Sequence, residues 1–161
     1  MYVTVFSILV SKDYKHFATE YLLTDEGKQI LQLLMDGYND PSLALNCGIM
    51  LRETIQQRVI HEYFLNNPEI IKPLFLKHAH SSFEIASDAL STIQALLRQN
   101  KQTVSRKMNA NGPLYKTIFE WYNSLIMSED YVTKRMSLQV GDRTYILSYS
   151  ILFYFVDGLI V

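Results

Sequence analysis

The chain has 161 residues, enough for one domain with a substantial core or for a short piece of an elongated array. Hydrophobic residues at 48% and charged residues at 19% exclude bulk disorder. With 15 Lys+Arg against 16 Asp+Glu and one cysteine, the sequence excludes a chain-wide cationic field, an internal disulfide framework and a multi-cysteine metal cluster.

Residues 1–23 are expected to form an atypical N-terminal segment. It opens on the apolar stretch MYVTVFSILV, which is too short to span a membrane and lacks both a basic leader and a small-residue cleavage site. From Thr24 to Gln139 the periodicity predicts helices separated by short turns. DGYND at 36–40 lacks the spacing of a calcium loop and reads as a turn. In PSLALNCGIMLRETI, the residues Ala44, Cys47, Gly48, Leu51 and Ile55 form one helical stripe, while Leu45, Ile49 and Met50 add a second apolar side. That helix should be packed on two sides, with Cys47 a buried structural thiol. Gly48 should mark a close approach by a neighbouring helix, because a mid-helix glycine costs about 1 kcal/mol relative to alanine.

Asp40-Pro41 and Asn67-Pro68 each pair a capping side chain with a proline suited to the first helical position, and Gly112-Pro113 is a weaker version. Pro73 lies inside IIKPLF and predicts a kinked or split helix. His78 and His80 are two apart, so they do not share a helix face, and they read as loop-end or solvated histidines rather than metal ligands. Further apolar stripes follow at Ala86, Ala89, Leu90, Ile93 and Leu97, and at Leu114, Ile118, Trp121, Tyr122 and Leu125.

In SEDYVTKR, Ser128 is expected to cap a helix, with Glu129 and Asp130 at the positive end of its dipole. Tyr131 and Arg135, four apart, then share a face and are residue types enriched at interface hot spots. The alternative is an arginine packed on a tyrosine for local stability, with Phe83 an ordinary core residue. The segment 140–161 is a divergent apolar tail. Its thirteen uncharged residues from Thr144 to Val156 fall short of a transmembrane helix.

Weak self-similarity supports a repeat. Leu43 over Ile85 gives an offset of 42 residues, and Phe83 over Tyr131, which also sets Leu90 over Leu138, gives 48. Such spacings suit helical repeats of the HEAT or armadillo kind, about 40–47 residues long. The expected fold is therefore an all-α armadillo/HEAT-like solenoid. No phosphate loop or nucleophile elbow is present in the sequence, and no cofactor is expected.

ALNCGIMLRE at 44–53, SFEIASDAL at 82–90 and SEDYVTKRMSL at 128–138 resemble, in order and spacing, signature stretches of the calcium-binding protein 39 family, the Mo-25-like scaffold proteins. The resemblance covers roughly residues 30–139. It implies a curved helical solenoid without catalytic activity, located in the cytoplasm, that binds and allosterically activates a sterile-20-type protein kinase or pseudokinase through its concave face. Through the pseudokinase it would also engage the liver tumour-suppressor kinase. The family's concave-face contacts match Phe83, Tyr131 and Arg135, whereas Gln139 stands where the family has a lysine. The family's C-terminal pocket for a peptide is absent, so a truncated member is expected, with 140–161 encoded by a translated intron or an alternative exon. The other readings are a nucleic-acid-binding helical repeat, which would need a basic stripe, a membrane fragment anchored by the tail, or a non-functional truncated fragment.

Overall fold

A computed structural model describes residues 2–12, 16–108 and 112–144, with the side chains of His80 and 141–144 left out of the description. Ten α-helices and no strand occur among the described residues. They are α1 (Tyr2–Ser11), α2 (Phe17–Leu22), α3 (Asp25–Asp36), α4 (Ala44–Gln56), α5 (Arg58–Asn66), α6 (Pro68–Leu76), α7 (Phe83–Arg98), α8 (Lys101–Lys107), α9 (Pro113–Ile126) and α10 (Tyr131–Thr144). One-turn 3-10 helices at Gly37–Asn39 and His78–His80 lead toward α4 and into α7.

The order repeats in threes, α2–α3–α4, α5–α6–α7 and α8–α9–α10, and in each unit the third helix is longer than the first. Equivalent helices stack into rows. The third helices form a layer in which α1, α4, α7 and α10 lie successively side by side, and α3, α6 and α9 form a second layer. The short helices make the third row, with α8 tied to α5 by Thr103 Oγ1 to Glu62 Oε1 at 3.3 Å and by Lys107 Nζ to Asn66 Oδ1 at 2.6 Å. This is the helical-repeat architecture that the 42- and 48-residue offsets imply.

The apolar stripes become the core between layers. Ala44, Cys47, Leu51 and Ile55 of α4, Ala86, Ala89, Leu90, Ile93 and Leu97 of α7, and Ile118, Trp121, Tyr122 and Leu125 of α9 are all buried. Each fully buried large side chain contributes about 1.5–3 kcal/mol. Leu45 and Ile49 of α4 are 42% and 40% exposed, however. Of the second apolar side of that helix, Met50 packs partly buried against the core, while Leu45 and Ile49 stay outside although α1 and α7 flank α4 within its layer. Likewise Leu90 is buried whereas Leu138, its counterpart by the offset, is 42% exposed, since α10 is the outermost described helix of the layer.

Gly48 leaves room for a side chain of α7. A Cβ there would collide with the Asp88 carboxylate and come within 2.6 Å of the Tyr38 hydroxyl. Pro73 neither splits nor ends α6, which continues to Leu76 with the Lys77 amide bonded to the Pro73 carbonyl at 3.0 Å. Pro68 and Pro113 occupy first turns as expected. Asp40-Pro41 does not open a helix directly. The Asp40 carboxylate accepts from the Ser42 amide at 2.8 Å and the Ser42 hydroxyl at 2.7 Å, a turn that delays α4 to Ala44. DGYND contains the one-turn 3-10 helix Gly37–Asn39, a turn as expected, and its Tyr38 is buried.

The sequence boundary at Gln139 falls inside α10, which runs on to Thr144, and residues 2–11 and 17–22 of the N-terminal segment are the helices α1 and α2. Most of the apolar tail, from 145 to 161, lies outside the described residues. No described helix is long and apolar enough to cross a membrane.

Candidate functional site: the exposed face of α7 and α10

Packing α10 against the rest of the molecule fixes which of its side chains face out. Its N-terminal cap is Asp130, whose Oδ2 accepts from the Thr133 amide at 2.7 Å. Ser128, the expected cap, instead accepts from the Asp130 amide at 3.2 Å and shapes the preceding turn. A side chain reaches back to the third helical amide only from the residue just before the helix, and α10 begins at Tyr131. Thr133 then donates through Oγ1 to the Ala79 carbonyl at 3.0 Å, pinning the first turn of α10 to the 3-10 turn before α7. The buried Tyr122 hydroxyl donates to the Ser137 carbonyl. With Thr133, Ser137 and Val140 buried on one side, Tyr131, Arg135 and Gln139 are left exposed on the other.

Phe83 opens α7 as Tyr131 opens α10, and the two are 66% and 71% exposed. The reading of Phe83 as a core residue is therefore overturned. Arg135 is exposed and forms neither an ion pair nor a ring contact with Tyr131 among the described residues, so local packing does not occupy it. A groove of about 140 Å3 runs between the helices, lined from α7 by Ser87, Ser91 and Gln94 and from α10 by Met136 and Gln139. Ser87 and Ser91 follow Phe83 at helical spacing, as Arg135 and Gln139 follow Tyr131. Leu45 and Ile49 are exposed on α4, the neighbour of α7 in the same layer.

Beneath this surface lies a polar cluster that sequence reasoning missed. The Tyr38 hydroxyl donates to Asp88 Oδ2 at 2.6 Å and lies 2.9 Å from Thr92 Oγ1. Arg52 reaches Asp88 Oδ1 through Nη2 at 2.7 Å and Thr92 Oγ1 through Nη1 at 2.8 Å. Burial, reinforced by the Asp88 carboxylate, pushes the Tyr38 hydroxyl far above the ordinary phenol range, so it stays protonated and donates. The ion pair, with Asp88 nearly buried, locks α4 to α7. Asp88 and Thr92 are one turn apart on α7, but Arg52 and Tyr38 reach them from 36 to 54 residues away, and no local pattern links those two to the pair.

His78 is buried rather than solvated. Its ring packs at a tilt of 33° against Tyr38 with a centroid distance of 5.1 Å, and burial, with Lys77 adding to it, lowers its pKa below the usual histidine value. Cys47 is a buried free thiol whose pKa is raised by burial and then by Asp40, and its side chain abuts Gly37. Among the described residues no three His, Cys, Asp or Glu side chains converge to hold a metal ion.

Stacked three-helix units define a helical-repeat protein. The family model described as Mo25-like matches residues 1–142, and the chain belongs to that family. Calcium-binding protein 39-like of Homo sapiens is 43% identical over 112 residues, 69% of this chain and 32% of that protein. The degreening-related gene dee76 protein of Auxenochlorella protothecoides is 40% identical over 111 residues, 69% of this chain and 33% of that one. Mo25-like protein of Schizosaccharomyces pombe is 32% identical over 139 residues, 84% of this chain and 40% of that one. The chain spans about a third of the length of the curated relatives it matches most strongly.

Proposed function

We propose that this chain is a non-catalytic adaptor that binds a protein kinase or pseudokinase of the sterile-20 type through the exposed face of α4, α7 and α10, and raises the kinase's activity. Phe83, Tyr131 and Arg135 are the partner-binding residues. The observation that carries the reading is the pair of solvent-exposed aromatic rings, each on the first residue of its helix, on the neighbouring helices α7 and α10. Exposed aromatics bury large area on docking at small entropy cost, and an exposed arginine that forms no ion pair among the described residues is available to a carboxylate on the partner. Activation is a population shift, in which a rigid surface binds the active conformer more tightly than the inactive one. The liver tumour-suppressor kinase would join through the pseudokinase, and the setting is cytoplasmic.

The test is isothermal calorimetry of the chain against a sterile-20-type kinase domain and, separately, the pseudokinase. Tyr131→Ala and Arg135→Ala should each weaken binding by about 2 kcal/mol, roughly 30-fold, while Leu33→Ala on α3 should change nothing. Equal affinities for all four proteins would reject the surface.

A further inference from the structure

We propose that the groove between the two 3-10 turns and the N-terminus of α7 is a binding site for a phosphomonoester, and that its ligand is a phosphorylated serine or threonine of a docked peptide. The groove holds about 430 Å3 and is lined by Tyr38, Lys77, His78, Ser81, Ser82 and Ile85, among others. Three features suit it to an oxyanion. The helix α7 is 16 residues long, and Ser82, the residue before it, makes no side-chain capping bond. The first helical bond there runs from the Ala86 amide to the Ser82 carbonyl at 2.8 Å, so the amides ahead of Ala86 are left without side-chain acceptors at the positive end of the dipole. His78 is the independent sign. It is 2% exposed, it is one of the residues lining the groove, and no side-chain hydrogen bond of His78 is found among the described residues. A buried imidazole kept neutral by its surroundings holds one N–H to give, and a phosphate oxygen in the groove would take it. The exposed Lys77 ammonium, now bonded to the Asn39 side-chain oxygen, supplies the charge, and the Ser82 hydroxyl supplies another donor.

The surroundings favour a peptide over a lipid headgroup. Polybasic membrane sites gather about 4–8 Lys and Arg residues. Here Lys77 is the one Lys or Arg among the described lining residues, far short of that number. Phe83, next to Ser82, offers an aromatic platform to residues flanking the phosphate. The inference rests on the docking reading only for the origin of the phosphorylated residue. Affinity for a phosphopeptide is measured without any kinase, so the two ideas fail separately.

The experiment is amide NMR titration of the whole chain with a phosphoserine heptapeptide, its unphosphorylated form, inorganic phosphate, and vesicles containing an anionic phospholipid. The phosphopeptide should shift the amides of Phe83, Glu84, Ile85 and Ala86 with Kd on the order of 1 mM, and the unphosphorylated peptide should bind at least about 10-fold more weakly. Lys77→Met should weaken binding roughly 5-fold. Ser82→Asp should abolish it while raising the thermal midpoint, because the new carboxylate caps α7 and occupies the anion's place. Binding that survives Ser82→Asp, or no shift at these amides in the wild-type chain, would overturn the site. Inorganic phosphate binding as tightly as the phosphopeptide, or equal shifts from the vesicles, would overturn the peptide as its ligand.

Discussion

At the scale of the residue, Gly48 and His61 show most directly how the interior constrains the chain. Gly48 is glycine because the Asp88 carboxylate occupies the place of a side chain. Gly48→Ala should push Asp88 away from Arg52 and Tyr38 and cost about 2 kcal/mol, read as a lowered midpoint in urea unfolding. The glycine alone announced a close approach, but nothing in ALNCGIMLRE names Asp88, 40 positions later, as the group that needs the space. His61 is fully buried, with Nε2 2.7 Å from the Leu96 carbonyl and Nδ1 without a partner. Nε2 therefore carries the proton and donates, and protonating Nδ1 would bury an unpaired charge. Desolvation by burial accordingly lowers its pKa below the reference value of 6.5, as it does for His78. Above that reference both histidines are neutral in folded and unfolded chains, and neither contributes to pH dependence. As the pH falls through it, the unfolded chain takes up protons that the folded chain refuses, so stability declines by up to about 1.4 kcal/mol per pH unit for each such proton. Urea unfolding between pH 7.5 and pH 5 should show this slope, and His61→Gln, which keeps a donor for Leu96, should reduce it.

At the scale of the element, the sequence was legible wherever a helix buries one side. The stripes of α4, α7 and α9 could be read because a period of 3.6 residues leaves the same mark whatever the partner. It was less legible at helix ends. Ser128 and Asp130 are both capable caps, and only the start of α10 at Tyr131 selects Asp130. It was least legible between elements, where pairing geometry sets the outcome. Gln57 follows α4 and donates through Nε2 to the Val10 carbonyl of α1 at 2.8 Å. Gln99 follows α7 and donates to the Gln56 carbonyl of α4 at 3.3 Å. These glutamines stand 42 residues apart, the same offset that relates Leu43 to Ile85, and each clasps the end of the preceding helix in its layer. They are a repeat signature that apolar periodicity passes over. Gln57→Ala and Gln99→Ala should each cost about 1 kcal/mol, with the shorter Gln57 bond the more costly to lose, and their effects should nearly add in the double variant. Thermal unfolding of the three variants checks this.

At the scale of the whole molecule, three rows of helices convert local repeats into a surface that no single helix possesses. One row buries its stripes against the next layer and leaves Leu45, Ile49, Phe83, Tyr131 and Arg135 outside. The polar cluster of Tyr38, Arg52, Asp88 and Thr92 fixes α4 on α7, and Thr133 with Tyr122 fixes α10, so the exposed side chains are held on a rigid frame. Rigidity matters because a compliant surface would bind both conformers of a kinase and shift neither. The measurement that bears most directly on this account is hydroxyl-radical footprinting of the chain with and without a sterile-20-type kinase domain. Phe83 and Tyr131 should lose most of their labelling on complex formation, while the equally exposed Phe17 of α2 and Leu33 of α3 keep theirs. Protection of Phe17 and Leu33 with Phe83 and Tyr131 still fully labelled would contradict it.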